Sequence, residues 1–243
     1  MLSIYYKEIS VFFSSFIGYI VIGVFLLVMG VIMWWLPDFS LLESNYATLD
    51  QLFNIAPMIF AFLIPAVTMR SFAEEHQTGT IELLATRPVS DLQIVVGKFL
   101  ASLTLVFFAL LPTLLYYFSV YQLGVPKGNI DSGAVFGSYL GLIFLAGAFV
   151  SIGIFASSLT NNQIVAFVLA FFLCFFVHWG FFFFSKLPVF VGRFDDVVQM
   201  LGIDYHYAAI SLGVVDTRDV LYFISLIALF IMLTLTSLDR RKW

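Results

Sequence analysis

Six long apolar runs alternate with short polar segments along this chain of 243 residues. The runs cover approximately residues 18–36, 52–69, 95–123, 134–159, 164–185 and 221–238. A helix of about 20 apolar residues crosses a hydrocarbon layer about 30 Å thick. The pattern therefore predicts an all-α integral membrane protein with six transmembrane helices, which form a single transmembrane domain over residues 1–243.

The residues before the first run have an amphipathic helical pattern. The polar face would carry Ser3, Lys7, Ser10 and Ser14, and the apolar face Leu2, Tyr5, Ile9, Phe12 and Phe16. Spacings of three and four are typical of an amphipathic helix. The pattern predicts an N-terminal helix that lies in the membrane interface before the first span. The alternative is a helix that simply extends the first span.

Residues 74–90, EEHQTGTIELLATRPVS, form a polar segment between the second and third runs. Gly79 can cap a short helix with Glu82 at its third position, where a carboxylate favours the positive helix end. Pro88 ends that helix, because the residue before a proline is pushed out of the α region. Ser90 then begins a capping box that starts the next helix.

This arrangement of helix, tight break and helix indicates a rigid element rather than a slack connection. Ile81, Leu84 and Ala85 would share one apolar face at helical spacing. A charged and partly apolar element of this kind suits docking to a soluble partner protein. The alternative is a solvated loop that merely joins two spans.

Composition and charge support the membrane assignment and orient it. The chain is 62% hydrophobic and 11% charged, whereas soluble domains carry about 25% charged residues. Both termini and the loops between spans 2 and 3 and spans 4 and 5 share one side. That side holds most of the basic residues, namely Lys7, Arg70, Arg87, Lys98, Arg240, Arg241 and Lys242. The positive-inside rule therefore predicts cytoplasmic termini and a cytoplasmic segment 74–90.

Three glycines repeat every fourth residue at the start of the fourth run. They are Gly133, Gly137 and Gly141, and this spacing permits close helix approach. We expect them to serve packing within the chain, with a dimer contact as the alternative.

No charged residue is expected in the middle of a span, where one would indicate a transport pathway. Asp216, Arg218 and Asp219 are candidates for an ion-pair clamp at the external mouth, before the last span. His178 lies in the aromatic run FFVHWGFFFF. We expect it to be a neutral side chain that forms a hydrogen bond between helices, as polar residues in spans commonly do.

Two stretches resemble the ABC-2 type family of ABC transporter permeases. The first comprises Glu74-Glu75, Gly79-Thr80, Glu82-Leu83-Leu84, Pro88-Val89-Ser90 and Gly97-Lys98, and the second Tyr205-His206, Gly213, Asp216, Arg218-Asp219, Tyr222-Phe223 and Asp239 to Trp243. Together with the six runs, the resemblance covers nearly the whole chain. Within the family, the chain is most similar to permease subunits of bacterial gliding-motility ABC transporters.

The resemblance implies a type V exporter-like fold. In that fold the segment between spans 2 and 3 is a coupling helix that sits in a groove of the ATP-binding subunit. Region 186–220 would form re-entrant helices at the external mouth. The implied ATPase contacts are polar at Glu74, Glu75, Glu82 and Arg87, apolar at Ile81, Leu83 and Leu84, and completed by Gly79, Thr80 and Pro88.

The chain lacks the Gly-x-x-x-x-Gly-Lys-Ser/Thr phosphate-binding loop. We therefore expect no catalysis and no cofactor in this chain, with ATP and Mg²⁺ bound by a separate ABC ATPase subunit. A second permease subunit would complete the transporter, as a homodimer or as a heterodimer with another gliding-motility membrane subunit. The expected location is the bacterial inner membrane, where the lipid bilayer surrounds the protein. We expect no nucleic acid as a partner.

The resemblance implies a permease that couples ATP hydrolysis to export or to mechanical transmission across the membrane in gliding motility. A secondary transporter or channel is one alternative, and it predicts ionisable residues in mid-span and an inverted repeat. An intramembrane hydrolase is another, since His76, His178, His206 and Glu74-Glu75 are residue types used in metal-assisted hydrolysis. Their scattered placement argues against that chemistry.

Overall fold

The computed structural model describes residues 1–41, 46–80, 90–188, 192 and 194–240. Within these ranges the chain is helical and contains no strand. The helices are α1 Leu2–Ser14, α2 Phe16–Trp35, α3 Asp50–Thr68, α4 Arg70–Gln77, α5 Asp91–Leu110, α6 Leu114–Leu123, α7 Ser132–Ser158, α8 Gln163–Phe175, α9 Phe181–Ser185, α10 Asp195–Gln199, α11 Ile203–Ile210 and α12 Thr217–Arg240. The predicted all-α class is confirmed.

Among the described residues, six stretches of helix are long and apolar enough to cross a membrane. Spans 1 to 6 are Gly18–Trp35, Asp50–Gln77, Asp91–Leu123, Ser132–Ser158, Gln163–Ser185 and Thr217–Asp239. Each overlaps one of the six apolar runs, so the prediction of six spans is confirmed. The second span continues beyond its apolar run to Gln77, which places Glu74 and Glu75 on a helix that prolongs the span.

Span 4 is the centre of the bundle. It buries 78% of its most apolar 18 residues, whereas spans 1 and 6 bury 22% and 17% of theirs. Its sequence is rich in Gly, Ala and Ser, and small residues let neighbouring helices approach closely. Gly153 is the closest such approach, because a Cβ atom there would collide with the side chain of Thr68 in span 2.

The N-terminal helix α1 is separate from span 1. Ser15 interrupts the two helices in an extended conformation, with φ −98° and ψ 155°. Phe12 of α1 is buried in a cluster with Val67, Ala101 and Leu105 of spans 2 and 3. The alternative of a simple extension of span 1 is therefore wrong, while the position of α1 in the membrane interface stays a prediction.

Local signals in the sequence account for two features of span 3. The hydroxyl of Ser90 accepts a hydrogen bond from the backbone N–H of Gln93 at 3.4 Å, which confirms the predicted cap. Pro112 lies in a 3₁₀ turn, Leu111–Thr113, that joins α5 to α6. The helix is thus interrupted where the proline removes a backbone donor.

The short helix α11 and the turn that follows it, which contains Gly213, pack across the start of span 4. A Cβ atom on Gly137 would lie 2.5 Å from the carbonyl oxygen of Gly213, and one on Gly141 would collide with Ile210. Gly137 and Gly141 thus make close contacts with another part of the same chain. Gly133 is exposed and lies outside this contact. A re-entrant path for the segment between spans 5 and 6 stays a prediction.

Candidate functional site: a charged junction at one end of the bundle

A cluster of six charged residues joins α1, α4 and α5 at one end of the bundle. We call it the charged junction, and its members are Lys7, Glu8, Arg70, Glu74, Glu75 and Lys98. The ends of spans 4 and 6 meet at the same end, where the hydroxyl of Ser237 donates to the carbonyl oxygen of Ser158 at 3.2 Å. We call the other end of the bundle the opposite end.

Lys98 is the centre of the charged junction. Its side chain is only 2% exposed, and its Nζ donates to Glu75 Oε1 at 2.9 Å, Glu8 Oε1 at 3.0 Å and the carbonyl oxygen of Ser71 at 2.6 Å. An ammonium group has three donors, so every donor has a partner. A buried charge is stable only when it is paired and hydrogen-bonded in this way.

Lys7 completes the cluster from the N-terminal helix. Its Nζ lies 3.1 Å from Glu75 Oε1 and 3.5 Å from Glu8 Oε1. Burial alone lowers the pKa of Lys7, but the charges of Glu75 and Glu8 outweigh that effect, so its pKa lies above the ordinary value. Two ammonium groups therefore face two carboxylates, which makes the centre of the junction electrically neutral and links three helices.

Arg70 and Glu74 form a second pair along the outer side of α4. The guanidinium donates two hydrogen bonds to the carboxylate, from Nε to Oε2 at 2.7 Å and from Nη2 to Oε1 at 3.0 Å. The Glu74 side chain is 40% exposed. Its exposure leaves Glu74 accessible to a partner protein, and because exposed pairs four residues apart on a helix contribute only about 0.3–0.5 kcal/mol, little is lost if Arg70 is displaced.

Ser157 of span 4 fixes the direction of α4. The helix of span 2 is interrupted at Met69, which leaves the first backbone N–H groups of α4 without partners in their own helix. The Ser157 hydroxyl oxygen accepts from the N–H groups of Phe72 and Ala73, each at 3.0 Å, and donates to the Met69 carbonyl oxygen at 2.9 Å. A fully buried side chain of another span thus caps α4.

A cavity of about 240 Å³ lies beside the charged junction. Its lining includes Lys7, Glu8, Arg70, Glu74, Glu75 and Lys98. Three basic and three acidic side chains line it, so its charge selects neither an anion nor a cation. In the described ranges no group of three or more His, Cys, Asp and Glu side chains is placed to hold a metal ion.

The turn Thr78–Thr80 ends α4 and leads into the segment predicted to contact an ATPase. Gly79 has a φ of 70°, a left-handed conformation that commonly follows the last helical residue. The Thr78 hydroxyl donates to the carbonyl oxygen of Glu74 at 2.8 Å, and the Thr80 hydroxyl lies 3.0 Å from that of Thr78. The remaining predicted contact residues, Ile81, Glu82, Leu83, Leu84, Arg87 and Pro88, lie outside the described residues.

The position of Glu75 corrects one expectation. We predicted a polar contact with a partner protein, yet its side chain is 11% exposed and Oε1 is bonded to Lys7 and Lys98. Glu74 and Glu75 are consecutive on a helix and therefore point about 100° apart. Glu74 faces outward, whereas Glu75 holds α4 to its neighbours.

The predicted clamp of Asp216, Arg218 and Asp219 is also corrected. Among the described side chains, no ion pair joins these three to one another. Asp219 instead contacts Nδ1 of His206 at 2.7 Å. Asp216 caps the start of α12 by accepting from the backbone N–H of Arg218 at 3.0 Å, and that hydrogen bond lowers the pKa of Asp216.

His178 occupies a π-helical turn, Phe176–Gly180, in span 5. Its ring is 2% exposed and packs near Phe149, Trp179 and Tyr207. Neither ring nitrogen has a hydrogen-bond partner in the described part of the chain. The expected hydrogen bond between helices is therefore not what the structure shows.

Four members of the junction, Lys7, Glu8, Arg70 and Lys98, were not predicted as site residues, and neither was Ser157, which caps α4 beside it. One signal was present for Lys98, because it lies inside a long helical span, where an ionisable residue requires a partner. No local signal identifies Ser157, since serine is frequent throughout span 4.

The fold and the junction define a multi-pass membrane protein whose charged contacts cluster at one end. The family model of the ABC-2 family transporter protein matches residues 36–237, most of the chain. The chain therefore belongs to the ABC-2 transporter family and is a permease subunit of an ABC transporter, a class that works with a partner ATPase subunit. A search of curated proteins gave no match.

Proposed function

We propose that this permease transmits ATPase-driven motion through the charged junction to the spans. A separate ABC ATPase subunit would dock on the segment that begins at Glu74 and continues through Pro88. The supporting observation is that α4, which leads into this segment, is held by side chains of three other elements. Lys98 connects it to span 3, Ser157 to span 4 and Lys7 to α1.

Because of these contacts, a displacement of α4 would move the elements that are bonded to it. Ser157 bonds to the first turn of α4 and to Met69, so a movement of the start of α4 would carry span 4 with it. Lys98 and Lys7 bond to Glu75 one turn later, so span 3 and α1 would follow its end. Rigid-body motion of packed elements is a common form of switching.

The energy source in this proposal is external to the chain. ATP and Mg²⁺ would be bound by the ATPase, and this chain would supply contacts but no catalysis. A second permease subunit, either another copy or a different membrane subunit of a gliding-motility machine, would complete the transporter. Spans 1, 5 and 6 leave most of their apolar surface outside the bundle, with only 22%, 33% and 17% buried, which leaves room for such a partner and for lipid.

The location and biological role follow from the same resemblance and from the charge distribution. In the sequence, seven of the eleven basic residues belong to the two termini, the loop between spans 2 and 3 and the adjoining span ends, which supports cytoplasmic termini in a bacterial inner membrane. The resemblance to gliding-motility permeases supports a role in export or in mechanical transmission for motility. Docking of the ATPase at the junction end agrees with this orientation.

The test is co-expression of this chain with an ABC ATPase subunit of the same organism, followed by co-purification in detergent. Residues 81–88 are replaced by a Gly-Ser linker of equal length, which leaves the junction and the Ser90 cap intact. The matched control replaces Thr160 and Asn161, in the loop between spans 4 and 5 at the same end, with Gly and Ser.

We expect the intact chain and the control to retain the ATPase and the linker variant to lose it. Retention by the linker variant would place docking elsewhere at this end. Failure of the intact chain to retain the ATPase would contradict the proposed coupling altogether.

A further inference from the structure

We propose that His206 is a pH-sensitive latch that holds α11 against the start of span 6 at the opposite end of the bundle. The latch consists of His206, Asp219 and Tyr222. The imidazole lies between two oxygen atoms, with Nδ1 2.7 Å from Asp219 Oδ1 and Nε2 2.9 Å from the carbonyl oxygen of Met200. This site lies beyond the proposed coupling function and does not depend on an ATPase.

The two contacts determine which form of the ring the latch requires. A carboxylate and a backbone carbonyl only accept hydrogen bonds, whereas a neutral imidazole has a single N–H. Both contacts are hydrogen bonds only when the ring carries two protons. When the ring gives one proton to water, one nitrogen lone pair faces an oxygen lone pair, and one of the two bonds is lost.

Tyr222 favours the same charged form. Its ring is stacked on His206, with centroids 3.9 Å apart and an interplanar angle of 21°, and a cation over an aromatic face is attracted to it. Its hydroxyl donates to the carbonyl oxygen of Leu201 at 2.8 Å. The latch therefore joins three pieces of chain, namely α11, α12 and the turn after α10.

The ionisable groups around the ring come from two helices. On α12 they are the Asp219 carboxylate, which is 12% exposed, and the Tyr222 phenol, with the exposed Arg218 next in sequence. On α11 the Tyr205 ring lies 5.3 Å away, and Asp204 precedes it. The turn after α10 contributes the backbone carbonyls of Met200 and Leu201. Asp219 is thus the anion in direct contact with the ring.

The rest of α11 is anchored elsewhere, so the latch controls one side of it. The Tyr207 hydroxyl donates to the carbonyl oxygen of Phe53 in span 2 at 2.8 Å, and Ile210 packs on Gly141 of span 4. Loss of the latch would separate α11 from span 6 while these contacts persist. Since the charged ring closes the latch, closure is stabilised at low pH and is lost as the pH rises.

Histidine changes charge between about pH 5 and 8, so the ring can be observed directly. We would record nitrogen NMR spectra of the purified chain in detergent with ¹⁵N-labelled histidine. The signals of the His206 ring would be assigned by their absence from the spectrum of His206→Gln. The chain has three histidines, which keeps the spectrum simple. Protonation of both ring nitrogens at pH 5.5 is the expected result. A neutral His206 ring at pH 5.5 would overturn the proposal.

A distance measurement tests the movement. Spin labels are placed on cysteines introduced at Ala208 and Leu221, both exposed, after the single Cys174 is replaced by Ala. We expect the distance distribution to shift to longer values as the pH rises from 5.5 to 8.5, and His206→Gln to remove this shift. His76→Gln, on α4 at the junction end, is the matched control and should show the same shift of the distance as the parent chain.

Asp219→Asn is the second variant, in case His206→Gln fails to fold. Asparagine has nearly the same shape, but it carries no charge to favour the protonated ring. We expect a smaller pH response of the distance in this variant. A full response in Asp219→Asn, a full response in His206→Gln, or no response in the parent chain would each contradict the latch.

Discussion

Lys98 Nζ lies 2.9 Å from Glu75 Oε1, and both side chains are almost fully removed from solvent. The two residues are 23 positions apart in sequence and belong to consecutive spans. Their contact turns the end of span 2 and the start of span 3 into one unit. Glu8, 90 positions from Lys98, adds the N-terminal helix to that unit.

Replacement of Lys98 by methionine should strongly destabilise the protein. Removal of one partner of a buried ion pair leaves an uncompensated charge, which costs about 3–5 kcal/mol. Unfolding of the purified protein in detergent measures the loss. Lys127→Met, at an exposed position, is the matched control and should change stability by less than about 0.5 kcal/mol.

The double variant Lys98→Met/Glu75→Met should be more stable than Lys98→Met alone. Apolar replacement of both members of a buried pair is often neutral, and Lys7 and Glu8 remain to neutralise each other at 3.5 Å. A double variant less stable than the single one would show that Lys98 and Glu75 do not act as a pair.

Ser157→Ala should loosen the start of α4. The change leaves the buried N–H groups of Phe72 and Ala73 without an acceptor, and each unsatisfied group costs about 1–3 kcal/mol. Faster hydrogen exchange at residues 72–77 would report the effect. Ser119→Ala is the comparison, because Ser119 is half-buried and its hydroxyl donates to the carbonyl oxygen of Leu115 in its own helix. Equal rates of hydrogen exchange at residues 72–77 in the two variants would show that Ser157 does not cap α4.

Gly141→Ala should force α11 away from span 4. Its new methyl group would collide with the side chain of Ile210, and overpacking typically costs about 1–3 kcal/mol. Ile210→Ala in the same chain should recover part of that loss by removing the obstructing atoms. Gly23→Ala is the control, since nothing lies within 4 Å of a Cβ atom there. A tolerated Gly141→Ala would refute this close approach.

Glu74 and Glu75 should give opposite results in binding and stability assays. Glu74→Gln removes an exposed charge, so we expect weaker recovery of the ATPase with stability changed by less than about 0.5 kcal/mol. Glu75→Gln weakens the buried junction, so we expect a lower melting temperature. Parallel measurement of melting and co-purification separates the two. Unchanged ATPase recovery in Glu74→Gln would exclude this residue from docking.

The spans were predictable because their signal is local. A helix that crosses hydrocarbon must satisfy its backbone internally and be apolar along its length, and each of the six runs meets that condition without reference to any other. The Ser90 cap is local in the same way, since donor and acceptor are three residues apart. The close approach at Gly137 and Gly141 was expected from their spacing, although the identity of their partners, Gly213 and Ile210, was not.

The contacts of the charged groups required the tertiary structure. The sequence of segment 74–90 indicates a polar element. It does not show which of Glu74 and Glu75 is buried, because their side chains differ only in the direction in which they leave α4, and the neighbouring helices decide which direction is covered. Asp219 has Arg218 beside it in sequence, yet the fold brings it to His206, 13 positions away. The length of an apolar span can be counted along consecutive residues. The partner of a charged side chain depends instead on the packing of the helices, which brings one distant side chain and not another within about 3 Å.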